Sequence, residues 1–392
     1  MYPRLVVERL HRLARQFPAV VILGPRQAGK TTLARLAFPE LPRLDCEEPL
    51  TADLLRGEAR HAIAARERGG LILDEAQAVP QVFAALRGLI DDDRKRAGRF
   101  IILGSAQPGL VRAAAETLTG RAALLDLSPL AACEGRAAEP VLDWRSLWLK
   151  GGFPDALAGD HTAWWEAYLR TVLERDLPQY GVSADPVFMR RLLTMLAHAQ
   201  GGLANASQLG AALGVNYQTV QRHLGVLEQV FLMRRLVPYF RNVGKRLVKA
   251  PKLYLRDTGM LHFLLNIRTL EQLDAHPVRG ASWETFVIED VLRREAVANP
   301  GSQVFFWRTA AGAEADLVLE RGNERTVIEV KTAQGGSGRQ LRVLREAMTD
   351  IGAARGWIVD QGTGIERLDR AIARAGFGEV IEGVPGPIEG SS

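Results

Sequence analysis

The chain has 392 residues, 47% of them hydrophobic and 24% charged, with a formal net charge of +5. That length exceeds one ordinary core and predicts two to four domains of roughly 100–200 residues each. No apolar run reaches the roughly 18–20 residues that a membrane span needs, and Met1-Tyr2-Pro3-Arg4 opens on charge instead of a secretory signal, so no membrane partner is expected and the predicted location is cytoplasmic.

Up to about residue 150 short apolar runs alternate with helical stretches. Ala19–Leu23, Leu71–Leu73, Phe100–Leu103 and Ala123–Leu127 read as buried parallel strands, which predicts an α/β sheet domain. Directly after the first strand stands Gly24-Pro25-Arg26-Gln27-Ala28-Gly29-Lys30-Thr31-Thr32, a full match to GxxxxGK[ST]. Glycines there let backbone N–H groups wrap phosphates, the following helix adds its dipole, Lys30 reaches the β- and γ-phosphates, and the Thr31 hydroxyl ligates Mg²⁺. ATP and Mg²⁺ are the expected cofactors. The strand Leu71–Leu73 runs into Asp74-Glu75, read as a metal-holding aspartate followed by the glutamate that orients the attacking water. An acid-rich helix start is the plainer alternative, disfavoured by the neighbouring phosphate loop. After Phe100–Leu103, Ser105 or Gln107 is placed to sense the γ-phosphate. Arg121 is a candidate transition-state arginine, in its own subunit or a neighbour's, or else an ordinary surface residue. Cys46 and Cys133 lack partner spacing and predict buried structural thiols.

Gly151-Gly152-Phe153-Pro154 breaks the pattern, and Trp164–Leu177 then reads as one helix with Trp165, Leu169, Val172 and Leu173 on its apolar face. Ser207–Leu213, Gly214-Val215 and Asn216–Leu227 read helix, tight turn, helix, with Leu209, Leu213, Val220, Leu224 and Leu227 inward and Tyr217, Gln218, Gln221 and Arg222 outward. Strands at Leu232–Leu236 and Leu253–Leu255 would pair as a wing carrying Lys245, Arg246 and Lys249. Residues 201–262 carry a net +7 while the rest of the chain carries −2, which suggests an anionic partner, DNA, docking on this segment. The competing reading is a winged helix that packs on the nucleotide domain as a lever.

Beyond Asp274-Ala275-His276-Pro277 the chain returns to mixed α/β: a helix near Trp283–Glu295, then strands near Val304–Trp307, Ala315–Leu319 and Thr326–Val330. Alternation points Ile328 and Val330 to the core and Glu329 and Lys331 together to the opposite face, and an antiparallel hairpin brings Asp316 beside Glu329. Asp316 and Glu329 would bind Mg²⁺, Lys331 would position or deprotonate water, and Glu284 would complete the shell. Cleavage, binding without cleavage, and a plain ion pair are the three readings of these residues.

Taken together the chain resembles bacterial and archaeal AAA-type P-loop ATPases that carry a C-terminal domain of unknown function. The resemblance spans nearly the whole sequence. It rests on the phosphate loop, on Leu73-Asp74-Glu75-Ala76-Gln77, Leu103-Gly104-Ser105, Lys150-Gly151-Gly152-Phe153-Pro154 and Glu174-Arg175-Asp176-Leu177, on Pro251-Lys252-Leu253-Tyr254 with Asp257-Thr258-Gly259, and on Phe306-Trp307-Arg308-Thr309 with Ile328-Glu329-Val330-Lys331. It implies an α/β fold with an AAA-like nucleotide-binding domain (1–150), a helical linker (151–200), a winged-helix-like middle (201–276) and a restriction-endonuclease-like domain (277–384) similar to PD-(D/E)XK nucleases, before a frayed tail (385–392). The expected function is ATP hydrolysis coupled to DNA binding, with metal-dependent cleavage as its further reach and oligomerisation open. The other class of reading is an ATP-controlled switch acting through protein–protein assembly.

Overall fold

The computed structural model describes residues 2–105, 116–139, 143–180, 185–240, 249–335 and 338–383; Gln107, Lys245, Arg246 and the tail 385–392 lie outside them. Among the described residues no helix is long and apolar enough to cross a membrane.

The first sheet is parallel, with β1 (Ala19–Leu23), β2 (Arg43–Asp45), β3 (Leu71–Asp74), β4 (Phe100–Gly104) and β5 (Ala122–Asp126) in the order β2-β3-β4-β1-β5. The three central strands are buried along their whole length because helices cover both faces. Two departures from the sequence reading lie at the edges. β2 is three residues of mixed polarity, too short to show a period, and β5 alternates, with Leu124 exposed, because an edge strand buries one face only. The order puts β4 between β1 and β3. The loops leaving β1, β3 and β4 therefore emerge side by side at one edge.

In the middle region the expected single helix is broken. The α-helix ends at Thr171, Val172–Asp176 form a π-turn, and Leu177–Tyr180 a 3₁₀ turn, where Pro178 lacks the N–H an α-helix would use. The extra residue per turn aims Asp176 at the phosphate loop. The helix pair is formed by Ala206–Leu213 and Tyr217–Gln229, with Asn205 and Asn216 as N-caps and Gly214 left-handed between them. Its five predicted inward residues are all buried. β6 (Met233–Leu236) and β7 (Lys252–Leu255) pair antiparallel.

The C-terminal sheet has six strands in the order β12-β13-β11-β10-β9-β8: β8 (Gln303–Arg308), β9 (Glu314–Arg321), β10 (Glu324–Val330), β11 (Arg355–Asp360), β12 (Ile365–Arg367) and β13 (Ile372–Gly376). β8, β9 and β10 are antiparallel, and β10, β11 and β13 parallel. Both faces are covered, one by the helix Gly338–Ile351 and the other by the helix Arg279–Ala298. The latter also packs on the middle region, so Trp165, Leu224 and Trp283 belong to the same apolar core as Ile328 and Val330.

This helix is buried yet carries Glu284, Glu289, Asp290 and Glu295. Each is matched by another segment or turn. Glu289 meets Arg234 and Arg256, the latter 3.2 Å away, and Glu295 meets Arg321 at 2.6 Å. Asp290 accepts from the Ala132 N–H at 2.6 Å and pairs with Arg294 at 3.0 Å. Burial alone would raise the Glu289 carboxyl; Arg234 and Arg256 overcome it and bring it down to about 2. Part of that gain is returned at Arg256, which burial and the neighbouring Arg234 bring down to about 10. Glu289→Ala is expected to destabilise the fold by about 3–5 kcal/mol, because it leaves two guanidiniums buried without a counter-charge. Since the folded carboxyl lies at about 2 and the ordinary value is 4.5, the wild-type contribution is complete above about pH 4.5 and is lost as pH falls toward 2. Urea midpoints of wild type and variant, compared between pH 6 and 3, should converge on acidification.

Candidate nucleotide site and carboxylate cluster

At the edge where β1, β3 and β4 end, the predicted nucleotide residues converge. Gly29 is left-handed (φ 93°) and starts the helix Lys30–Ala37. Gly24 is sterically required, since a Cβ there would stand 2.2 Å from the Leu127 carbonyl oxygen. Lys30 is buried and donates to the Gly24 and Pro25 carbonyls at 3.1 and 2.9 Å, its ammonium lowered by burial against the pull of Glu75 and Asp74. Thr31 donates its hydroxyl to Asp74 at 2.9 Å, which puts the two expected Mg²⁺ ligands in contact. Glu75 is left-handed (φ 48°), turning its side chain back toward the loop, and Gln77 bridges it to Ser105.

Several residues that the sequence did not single out complete this edge. Arg43 of β2 sits 2.7 Å from Asp74, on the same carboxylate oxygen that Thr31 touches. Arg4 donates to the Ala28 carbonyl at 2.8 Å and pairs with Glu134 at 3.1 Å, bracing the loop from behind. Arg26 reaches Asp176 at 2.8 Å, and Glu47 accepts from Arg175 at 2.9 Å, so the loop is tied to the π-turn of the middle region. Burial would lower the Arg26 guanidinium, but Asp176 holds it raised. A cavity of about 700 Å³ opens beside Lys30, Thr31 and Glu75, and its far wall is Pro154, Ala158, Tyr168 and Arg175. Volume and lining suit a nucleotide: N–H groups and Lys30 for phosphates, Tyr2, Leu36 and Pro154 for a base.

Arg121 is not part of this arrangement. Its carbonyl accepts from the Ala19 N–H at the start of β1, at the opposite edge of the sheet, and its side chain makes a two-pronged pair with Asp91 at 2.8 and 2.9 Å. A role for it in its own subunit's nucleotide site is corrected; Arg4, Arg26 and Arg175 are the arginines that line the cavity.

The basic segment is also altered by its surroundings. Of its six described cations, four are matched within the chain: Arg234 and Arg256 by Glu289, Arg235 by Glu228 at 3.6 Å, and Lys252 by Glu284 and Glu314. Tyr217, Gln218, Arg222 and Lys249 are exposed, and Gln221 is half-buried with its amide donating to the Tyr217 hydroxyl at 3.2 Å.

Asp316 and Glu329 come from the paired strands β9 and β10, with Lys252 and Glu314 as two additions in their midst. Asp316 accepts from the Val330 N–H at 2.8 Å, and Glu329 pairs with Lys331. The face of β10 that carries Glu329 is covered, so Glu329 is 8% exposed and its Oε2 has no hydrogen-bond partner. Glu284, Glu314 and Asp316 place carboxylate oxygens within 4.8 Å of one another, a spacing compatible with a shared cation. Burial, then Glu284 and Glu329, raises the Asp316 carboxyl well above its ordinary range. Among these acids lies the Lys252 ammonium, 2.7 Å from Glu284, 2.5 Å from Glu314 and 3.9 Å from Asp316. Pattern alone gave no sign of Lys252 or Glu314; only the packing of β7 against β8 and β9 brings them in.

The two cysteines are free thiols, Cys46 buried and Cys133 partly so, and burial raises them to about 12 and about 11.

Comparison with known proteins agrees with this geometry. Residues 16–135 match the AAA domain family, 141–271 the domain of unknown function DUF8612, and 279–376 the domain of unknown function DUF4143. Among solved structures, the Walker-type ATPase PABY2304 of Pyrococcus abyssi is 15% identical over 68% of this chain and 96% of its own (TM-score 0.46). A RuvB variant of Thermotoga maritima is 18% identical over 60% and 90% (TM-score 0.32). Neither likeness is close enough to carry function across. Two mycobacterial relatives are far closer: the uncharacterized proteins Mb2031c of Mycobacterium bovis and Rv2008c of Mycobacterium tuberculosis are each 41% identical over 362 residues, 90% of this chain and 79% of the relative. The chain belongs to the same family as these two proteins, and its AAA domain makes it an AAA-type P-loop ATPase.

Proposed function

We propose that the chain is a Mg²⁺-dependent ATPase that passes its nucleotide state through the middle region to a nucleic-acid-directed C-terminal end. The observation that supports this most is the shared wall of the cavity: residues of the middle region close the nucleotide site, and the phosphate loop is tied to them through Arg26 and Asp176. A change at the γ-phosphate therefore acts on both. The division into 1–150, 151–200, 201–276 and 277–384 is proposed on the same basis.

Gly24 to Thr32 hold the phosphates, with Lys30 exchanging its two carbonyl partners for phosphate oxygens. Thr31 and Asp74 hold Mg²⁺, which when bound neutralises charge between the β- and γ-phosphates. Arg43 must then release Asp74, and Asp45, 3.3 Å from the same guanidinium, is its alternative partner. Glu75 orients and polarises the attacking water, and Gln77 and Ser105 hold that carboxylate in place.

The nucleic acid in this reading is DNA. The exposed face of the Tyr217–Gln229 helix, with Tyr217, Gln218 and Arg222, offers donors, acceptors and charge suited to phosphates and base edges, and Lys249 stands exposed before β7. Lys245 and Arg246 would add to it. In this reading the middle is a winged-helix reader and the cluster at Asp316, Glu329, Lys331 and Glu284 is the metal site of a nuclease-like domain, with cleavage its activity. The competing switch would use ATP occupancy to control protein assembly.

Lys30→Ala is expected to abolish measurable ATP binding in a fluorescent-nucleotide titration, since the loop loses its one buried ammonium. Unchanged affinity would remove the site. Glu75→Gln should still bind Mg·ATP while turnover falls about 10²–10⁴-fold, the usual yield of a positioned base; a phosphate-release assay at normal rate would reassign Glu75. Replacing Arg222, Lys245 and Arg246 together by Ala should weaken duplex DNA binding and reduce the slope of log K against log salt by about 0.9 for each lost phosphate contact. ATP turnover stimulated by DNA in wild type, and not in that triple variant, separates the DNA-directed reading from the switch.

A further inference from the structure

Lys252 is the one lysine in the C-terminal cluster that arrives from outside the C-terminal sheet. It lies on β7, whose backbone is fixed by pairing with β6 and by bonds between Leu253 and both Gly201 and Gly202. Its side chain is 2% exposed. Glu284 and Glu314 accept from its ammonium, Asp316 stands 3.9 Å away, and the rings of Tyr254 and Phe306 face it at 5.6 and 5.8 Å. The Tyr254 hydroxyl donates to the Glu284 oxygen that also takes the ammonium. Three carboxylates and two aromatic faces are the surroundings an ammonium needs once it has left water.

The same three carboxylates form the only group among the described residues whose oxygens converge as cation ligands would. The ammonium and a divalent ion would therefore compete for one place. Close by, Glu329 keeps a buried, unpartnered oxygen, so the cluster retains a ligand that Lys252 does not use.

We propose that Lys252 is the resident cation of this cluster and a lock: while its ammonium is seated, Glu284, Glu314 and Asp316 take no divalent ion, and its removal opens a Mg²⁺/Mn²⁺ site. The proposal rests on reading the C-terminal carboxylates as a cation site. It adds that the middle region controls admission. Oxygen donors, at about 2.0–2.1 Å for Mg²⁺, are what such an ion requires, and a Lys252→Ala variant leaves the oxygens and the space for them. The exchange raises the local charge by one, since an ammonium leaves and a dication enters, and the carboxylates of Glu284, Glu314 and Asp316 are there to take it up, with Glu314 also paired to Arg308.

The test uses the full chain without nucleotide and Mn²⁺ as probe, followed by electron paramagnetic resonance and by thermal unfolding. Wild type should show no Mn²⁺ uptake that depends on Asp316. Lys252→Ala should unfold at a lower temperature, gain one Mn²⁺ per chain, and recover part of its unfolding temperature as Mn²⁺ is raised. Adding Asp316→Asn should remove both the gain and the recovery. Should Lys252→Ala fail to fold, Lys252→Gln, which keeps the stem and drops the charge, takes its place with the same expectations. Equal, Asp316-dependent Mn²⁺ binding in wild type and variant would overturn the lock and leave the cation site standing. A folded variant that takes up no Mn²⁺ would overturn the cation site itself, and the lock with it.

Discussion

A buried helix lined with carboxylates is the constraint on which the architecture depends. Arg279–Ala298 lies between the C-terminal sheet and the middle region, and its apolar residues join both into one core. A carboxylate cannot stay ionised in such a place without a partner. Here the partners come from β6, β7 and β9, from a main-chain N–H at Ala132 and from the helix's own Arg294. The pairs with β6, β7 and β9 and the bond to Ala132 therefore fix the positions of those segments against the helix. The helix acts as a register for the assembly more than as a source of net stability, since buried pairs cost about as much to desolvate as they return.

This constraint changes the meaning of the basic segment. A net +7 between residues 201 and 262 reads as a surface for an anion when the chain is taken one segment at a time. In the folded protein Arg234, Arg256 and Lys252 face acids supplied by Glu284, Glu289 and Glu314, far along the sequence. What remains exposed among the described residues is narrower, chiefly Arg222 and Lys249. The glycine-rich motifs are explained in the same way. A Cβ on Gly151 would strike the Asp257 carboxylate and one on Gly259 the Lys150 carbonyl, each at 1.9 Å. The Asp257 carboxylate accepts from Gly152 and Gly259 N–H groups at 2.9 Å. Two motifs a hundred residues apart are halves of one close contact, and their role is packing.

At the nucleotide edge a similar economy of charge holds. Lys30 folds back on its own loop's carbonyls, Arg43 rests on Asp74, and Arg26 on Asp176. Every strong charge that the chemistry would use has a partner within the chain. Nucleotide and metal would enter by exchanging these partners, which lie on β2 and on the π-turn.

The nucleotide site was legible in the sequence because its parts are local: a strand, nine consecutive residues and a helix start, then a strand that ends in two acids. Local chemistry dictates such units, and the parallel sheet only had to align them. The C-terminal hairpin was legible for the same reason, since alternation along β9 and β10 sets which side chains share a face. What the tertiary structure alone decided are the pairings between distant segments: Arg43 with Asp74, Arg121 with Asp91 away from the nucleotide, Arg26 with Asp176, and Lys252 among Glu284, Glu314 and Asp316. A charge read along the chain has a sign and a position but no partner. Its partner is fixed by which surfaces are driven together when apolar area leaves water, and that selection depends on the whole core at once.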